Sequence, residues 1–189
     1  MQDFLHIASK MYYEGKPIIS DSEFDLLAHK HNYNKVGYTV TDAIPHTYQM
    51  YSLQKCFDIS KAPLDINDCV CSPKLDGAAV SLLYADGCLE LALTRGDGKQ
   101  GRDITDKMST LVPTEIMEKR LIQITGEVVA PSSIPNSRNF AAGSLGLKGE
   151  EGFEEFKTRP LVFVAYDATP ELSEQYSGAL RRLEFHGFT

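Results

Sequence analysis

A chain of 189 residues, 42% hydrophobic and 24% charged, suits one domain of ordinary size with a small appendage, in a globular protein. No window approaches the roughly 18 consecutive apolar residues of a membrane span, and Met1-Gln2-Asp3-Phe4-Leu5-His6 lacks the basic region and apolar core of a signal peptide. A cytoplasmic protein with no membrane partner is therefore expected. The net charge of −7, with no basic cluster longer than Arg181-Arg182, argues against a protein that grips duplex nucleic acid unaided.

In chain order, residues 2–14 and 20–31 read as two short helices. In the second, Ser20 or Asp21 caps, Glu23 falls in the first turn, and Phe24, Leu27 and Ala28 recur at helical spacing. Glu14-Gly15-Lys16-Pro17 reads as the turn between them, and the irregular stretch from Val36 to Pro45 as a linker. The period then changes. Ala78 to Tyr84 is a β-branched and apolar run, Ala85-Asp86-Gly87 turns the chain, and Leu89, Leu91 and Leu93 alternate with Glu90, Ala92 and Thr94. That is a hairpin, because Asp-Gly supplies positive φ cheaply. Leu121 to Val129 and Leu161 to Tyr166 read as further strands, Asp106 to Lys119 as a helix broken by Pro113, and Ser173 to His186 as a helix with Gly187 as C-cap. Helices with mostly antiparallel strands make the fold class α+β. Cys56, Cys69, Cys71 and Cys88 include no C-x-x-C pair, so no zinc knuckle is expected; reduced, packed thiols are.

Lys74, in Lys74-Leu75-Asp76-Gly77, follows Val70-Cys71-Ser72-Pro73 and is expected at a strand end entering a glycine bend. A lysine attacks phosphorus only when neutral, and apolar surroundings or nearby cations favour that state. Asp76 shares its face on an extended backbone and would orient the amine or a metal. Taken alone, the four residues fit a surface lysine beside a turn better. About twenty residues on, Thr94-Arg95-Gly96-Asp97-Gly98 runs into Gly101-Arg102-Asp103-Ile104-Thr105. Its glycines let backbone N–H groups approach phosphate or sugar oxygens, and Arg95 offers a planar fork; a salt-bridged hairpin loop is the alternative. Glu127 is a carboxylate in an apolar strand, whose burial needs a partner such as a ribose hydroxyl or an arginine. Asn136 to Leu145 is rich in small residues with one arginine, Arg138, suiting either close packing near a phosphate or a tight loop-to-helix transition.

Together these segments resemble the adenylation domain of NAD⁺-dependent DNA ligases over nearly the whole chain. His46 to Leu53 resembles that family's H-x-x-P-M-x-S-L segment, Lys74 to Gly77 its nucleophile motif, and Thr94 to Thr105 its T-R-G-D-G-x-x-G-E-D-[VI]-T run. Gly126-Glu127-Val128 is similar to its R-G-E-V strand, Asn136 to Leu145 to N-P-R-N-x-A-A-G-S-L, and Arg159-Pro160-Leu161 to R-P-L. Pro17, Asp21, Phe24 and Asp25 resemble the segment that grips the nicotinamide mononucleotide half of NAD⁺; Tyr12 and Tyr13 look like its preceding aromatic pair, one residue closer to the proline.

The resemblance implies a nucleotidyltransferase fold with antiparallel sheets at residues 41–189, lacking its later motifs, behind a helical nicotinamide-mononucleotide-binding module at 1–40. It also implies chemistry in which Lys74 takes AMP from NAD⁺, usually with Mg²⁺, and passes it to nicked double-stranded DNA. Ser52 and Leu53 would lie beside the adenine, and Arg95 and Glu127 on the phosphate and ribose side. Arg138 would approach the nick, with Lys148 as a substitute for an arginine the family often has at Gly146. Ser72, Arg102, Thr125 and Gln49 replace the family's glutamate, glutamate, arginine and proline. The sequence stops before the family's later lysine motifs and oligonucleotide-binding domain. A subunit of a split, phage-type ligase that works with a second polypeptide is the expectation, ahead of a shortened ligase. A noncatalytic nucleotide-binding subunit and an ATP-dependent RNA-ligase-like enzyme are the alternatives.

Overall fold

The computed structural model describes residues 1–13, 18–33, 43–53, 56, 58, 60, 65 and 69–189; the side chains of Tyr12, Tyr13, Asp21, Ser22 and Asp25 lie outside that description. So do the expected turn at 14–17 and most of the expected linker.

Two helices open the chain, α1 (Gln2–Tyr13) and α2 (Asp21–Lys30). Leu5, Ala8 and Ser9 are buried, a spacing that puts them on one stripe of α1. Ser20 caps α2 in a full capping box: its hydroxyl accepts from the Glu23 N–H, and the Glu23 carboxylate accepts from the Ser20 N–H at 2.9 Å. Beyond α2 the chain folds back, the Tyr33 N–H bonding the Ala28 carbonyl at 2.9 Å, and buried Tyr33 meets Phe24 edge to face at 6.0 Å. Gln2 donates to the His31 carbonyl, tying the start of α1 to the end of α2.

The main sheet has four antiparallel strands in the order β3-β2-β5-β6: β2 (Ala78–Ala85), β3 (Cys88–Thr94), β5 (Ile122–Val129) and β6 (Val162–Thr169). The β2–β3 turn is the one that Asp-Gly favours, with φ of 48° at Asp86 and 82° at Gly87. Alternation decides the faces. Val80, Leu82 and Tyr84 of β2, Ile122, Ile124 and Val128 of β5, and Phe163 and Ala165 of β6 are buried in one core. Each fully buried aliphatic side chain there stabilises the fold by roughly 1.5–3 kcal/mol. Covering that face are α3 (Thr105–Met108), α4 (Ser137–Gly146), α5 (Gly149–Thr158) and α6 (Tyr176–Phe185), through Met108, Ala141, Leu145, Phe156 and Leu183. After α6, Gly187 at φ 90° lets the Phe188 N–H reach the Leu183 carbonyl at 3.1 Å, a Schellman ending. Phe188 thereby enters the core edge to face with Tyr84 and Phe163, at 6.0 and 6.2 Å.

Several expectations change. Ile44–Pro45, inside the expected linker, is a strand, β1, paired with β4 (Gln100–Gly101). The segment from Asp106 to Lys119 is helical for one turn only, because Val112 and Ile116 are drawn into the core and residues 114–116 run beside the hairpin turn instead. There the Leu89 N–H bonds the Thr114 carbonyl and the Ile116 N–H the Gly87 carbonyl. Helix α5 was not anticipated, and α6 starts at Tyr176 rather than Ser173. Lys74 precedes a strand rather than ending one, since β2 begins only after Gly77. The four cysteines are free as expected but exposed rather than packed. No helix among the described residues is long and apolar enough to cross a membrane.

Candidate functional site

The face of the sheet opposite the helices carries the expected site residues, and Glu127 is their centre. It sits on β5 opposite Ala79, half-buried, with the Gly77 backbone facing its carboxylate. Burial holds its carboxyl above the usual range, against the pull of that backbone and of Lys74, Arg138 and Arg95. Cations from three separate segments thus favour the charged form of one carboxylate. Both flanking glycines are required by space. A Cβ at Gly77 would lie 2.2 Å from the Val128 carbonyl oxygen, and one at Gly126 2.3 Å from the Phe163 ring.

Arg95, just past β3, is fastened along its length. Its N–H bonds the Ala79 carbonyl at 3.0 Å, its carbonyl faces His46 Nε2 at 3.0 Å, and its Nη2 donates to Ser52 Oγ at 2.7 Å. Its Nε is buried with no partner among the described residues. His46 Nδ1 lies 2.8 Å from Ser81 Oγ. Burial holds the His46 imidazole below its ordinary pKa, against the opposing pull of the Arg95 carbonyl. Because a carbonyl only accepts, Nε2 carries the proton and Nδ1 accepts from the Ser81 hydroxyl.

The glycine-rich loop is built for itself. Asp97 Oδ1 accepts from the Lys99 and Gln100 N–H groups at 2.9 and 3.0 Å, and the Gly98 N–H bonds the Arg95 carbonyl at 2.9 Å. Thr94 Oγ1 takes the Arg102 N–H, and Asp103 Oδ1 takes the Thr105 N–H. The expectation that these amides are available to phosphate is thus corrected: most are spent within the loop, as an Asx turn spends them. The loop's outer partner is the segment containing His46. The His46 N–H bonds the Lys99 carbonyl and the Met50 N–H the Gly98 carbonyl, while buried Gln123 of β5 bonds both the N–H and the carbonyl of Tyr48.

Lys74 and Asp76 are exposed, and the ion pair of Asp76 is with Arg138, at 3.6 Å. Arg138 stands in the first turn of α4, after Asn136 in left-handed geometry at φ 52°. Two side chains hold α4 from outside: Arg159 donates to Ser144 Oγ at 2.7 Å, and Lys107 Nζ donates to the Leu145 and Leu147 carbonyls at 3.2 and 2.6 Å. Ser52 and Leu53 are exposed beside Arg95, and Leu53 is 73% exposed. Lys148 is exposed between α4 and α5, and no contact among the described residues joins it to the Glu127 cluster. Phe24 packs on Tyr33, whereas Tyr12, Tyr13, Asp21 and Asp25 have side chains outside the description.

One residue was missed. The register of β5 with β6 shifts between Thr125 and Gly126, pairing Thr125 with Asp167 and Gly126 with Ala165, which leaves Tyr166 as the unopposed residue of a bulge. Tyr166 stands beside Glu127 and Arg95; burial first, and the Glu127 carboxylate second, push its hydroxyl up to about 12. The aromatic residue was visible in the sequence, but the shift that aims it was not.

The resulting group has an arginine whose buried Nε has no acceptor among the described residues, a half-buried carboxylate, an aromatic ring and an exposed lysine. The family model for the NAD-dependent DNA ligase adenylation domain matches residues 39–134, half of the chain. The chain is also similar to curated DNA ligases. That of Aliarcobacter butzleri (strain RM4018) is 34% identical over 183 residues, covering 73% of this chain and 28% of the relative. That of Pelagibacter ubique (strain HTCC1062) is 31% identical, covering 87% and 31%. That of Xanthobacter autotrophicus (strain ATCC BAA-1158 / Py2) is 29% identical, covering 94% and 32%. The chain thus spans about three tenths of the length of these relatives. The chain belongs to the family of NAD-dependent DNA ligase adenylation domains.

Proposed function

We propose that this chain carries out the adenylylation chemistry of an NAD⁺-dependent DNA ligase, with Lys74 as the nucleophile. The observation that carries the reading is the half-buried Glu127 carboxylate in the field of Lys74, Arg95 and Arg138, with Arg138 paired to Asp76 at 3.6 Å and Arg95 fastened to Ser52 at 2.7 Å. Such a group offers cations to a phosphate, a hydrogen-bonding carboxylate to a ribose and, in Tyr166, a ring face to a base. The Nζ lone pair of Lys74 forms a P–N bond to the α-phosphorus of NAD⁺. The P–O bond to nicotinamide mononucleotide breaks, its electron pair leaves with that product, and the amine proton passes to solvent. AMP then moves to the 5′-phosphate of nicked double-stranded DNA, and the adjacent 3′-hydroxyl displaces it. Arg95 and Glu127 hold the phosphate and ribose side, Ser52 and Leu53 lie beside the adenine, Asp76 orients the amine, and Arg138 and Lys148 meet the nick. The orphaned Arg95 Nε–H fits a phosphate acceptor there.

The same proposal divides the chain into a module at 1–40 that binds the nicotinamide mononucleotide half through Tyr12, Tyr13, Asp21, Phe24 and Asp25, and a nucleotidyltransferase part at 41–189. Mg²⁺ would be held chiefly by phosphate oxygens, because no group of three metal-ligating side chains occurs among the described residues. With a net charge of −7, the chain depends on a further, basic polypeptide for its hold on DNA, supplied by the same protein or by a second subunit. The outer edge of β6, where the Ala165 N–H bonds the Thr189 carbonyl at 2.9 Å, is where such a partner would extend the sheet. The four free cysteines suit a reducing cytoplasm.

The test is incubation with labelled NAD⁺ or ATP, alone and with the polypeptide encoded alongside, followed by mass spectrometry to locate AMP. AMP on Lys74 from NAD⁺ is the expected outcome. AMP from ATP alone, or on no lysine under any condition, refutes the proposal. Deleting residues 1–35 should block reaction with NAD⁺ yet spare sealing of DNA that already carries 5′-AMP; equal loss of both would make the segment structural.

A further inference from the structure

The contacts of His46 are partly buried and join three parts of the fold. Its Nδ1 meets Ser81 of β2, its Nε2 meets the Arg95 carbonyl, and its own N–H bonds the Lys99 carbonyl. Six residues later on the same segment, Ser52 receives the Arg95 guanidinium at 2.7 Å. One stretch of chain therefore grips Arg95 at both ends. The Ala79 carbonyl fixes the other side of the Arg95 backbone, so the direction in which the side chain leaves it is determined.

We propose that His46 is a positioning residue for Arg95: its imidazole, set in the Nε2–H form by the Ser81 hydroxyl, fixes the Arg95 carbonyl and so aims the guanidinium at the bound nucleotide. The proposal rests on the nucleotide-binding reading above. The ring suits the task because its two nitrogens are a donor and an acceptor held at opposite ends of one rigid unit. As a replacement, glutamine keeps an amide donor near the place of Nε2, whereas alanine keeps none. The buried, unpartnered Arg95 Nε shows why aim matters, since a small rotation of this arginine would bury that donor away from any ligand as well.

The test uses the full chain and two readouts. The first is the ¹⁵N signal of the Arg95 Nε–H, assigned by its loss in Arg95→Ala. His46→Ala should shift or broaden it, and His46→Gln should largely restore it. The second is the KM for NAD⁺ in AMP–lysine formation. His46→Ala should raise KM about tenfold with a smaller change in kcat, as expected for misaligning one charge-assisted contact. In an Arg95→Ala background, His46→Ala should add nothing. An unchanged Arg95 signal in His46→Ala, or a full additional loss in the Arg95→Ala background, overturns the proposal. If His46→Ala fails to fold, Ser81→Ala, which removes only the Nδ1 partner, takes its place with the same expectations at smaller size. Should the unaltered chain form no AMP–lysine from NAD⁺, the functional reading falls, and the Arg95 signal alone still decides the role of His46.

Discussion

The two sides of the site are held in opposite ways. The Arg95 side is bonded backbone to backbone and side chain to backbone, through Ala79, His46, Gly98, Met50, Tyr48 and Gln123. On the Lys74 side, residues 70–76 make no backbone hydrogen bond among the described residues, Asp76 is tied to Arg138 by an exposed ion pair, and Lys74 acts on Glu127 through its charge alone. Under the proposed function, recognition and reaction use different physics. The part that must fit a nucleotide is pre-ordered, so its entropy is lost on folding rather than on binding. The part that must travel with the bond being made is left to electrostatics, which is long-ranged and tolerant of small displacements.

The sharpest way to break the comparison is at the nucleophile. Lys74→Arg should abolish AMP–protein formation while moving Tm by no more than about 2 °C, because an exposed substitution costs within about 0.5 kcal/mol and arginine stays charged. Persistent labelling in mass spectra would move the nucleophile elsewhere.

On the ordered side the balance reverses. Gly98 has φ 88°, and a Cβ there would meet the Met50 carbonyl oxygen at 2.5 Å. Gly98→Ala should therefore cost about 3 kcal/mol in denaturant unfolding, with activity falling as a consequence of lost structure. A Gly98→Ala protein of unaltered stability would show that this loop is not the rigid half.

Glu127 joins the two sides, and its effect depends on pH. Burial raises its folded pKa above the unfolded value, so the folded chain binds this proton more tightly. Ionisation consequently costs stability, a cost absent below the ordinary carboxylate pKa and fully present above the raised folded one. Glu127→Gln should raise Tm by roughly 2–4 °C at pH 8, with the difference shrinking toward pH 4, while AMP–lysine formation falls. A pH-independent Tm difference would remove the carboxylate from this role.

The smallest effect is expected at Asp76. Its pair with Arg138, 3.6 Å long and solvent-exposed on both partners, is worth at most about 0.5 kcal/mol. Asp76→Asn should leave thermal unfolding unaltered and slow AMP transfer; the reverse pattern would make the pair structural.

What the sequence made legible follows from how local each feature is. The Asp86-Gly87 hairpin and the capped helix α2 are written in neighbouring residues, and both form as expected. The pairing of Ile44–Pro45 with Gln100–Gly101 is not, because its partners are more than fifty residues apart. Helix α5 has only Phe153 and Phe156 as large apolar residues on an otherwise acidic surface, too sparse a period to announce itself. Among the site residues, Lys74, Arg95, Glu127 and Arg138 were visible as motif letters. The use of Asp97 to consume the loop's amides, and the bulge that aims Tyr166, are products of turn geometry and strand register that single residues do not encode.

Gln123 carries a consequence for exchange with solvent. Its amide oxygen accepts from the Tyr48 N–H at 3.0 Å and its amide nitrogen donates to the Tyr48 carbonyl at 2.8 Å, so one side chain reproduces both bonds of a strand neighbour. Tyr48 lies in no strand, yet its amide hydrogen is shielded by a residue anchored in the sheet's interior. In deuterated water it should persist about as long as the amides of β5, whereas those of Thr47 and Gln49 on either side wash out early. Protected amides at His46, Tyr48 and Met50 alternating with fast ones at Thr47 and Gln49 are how this anchoring would register in solution.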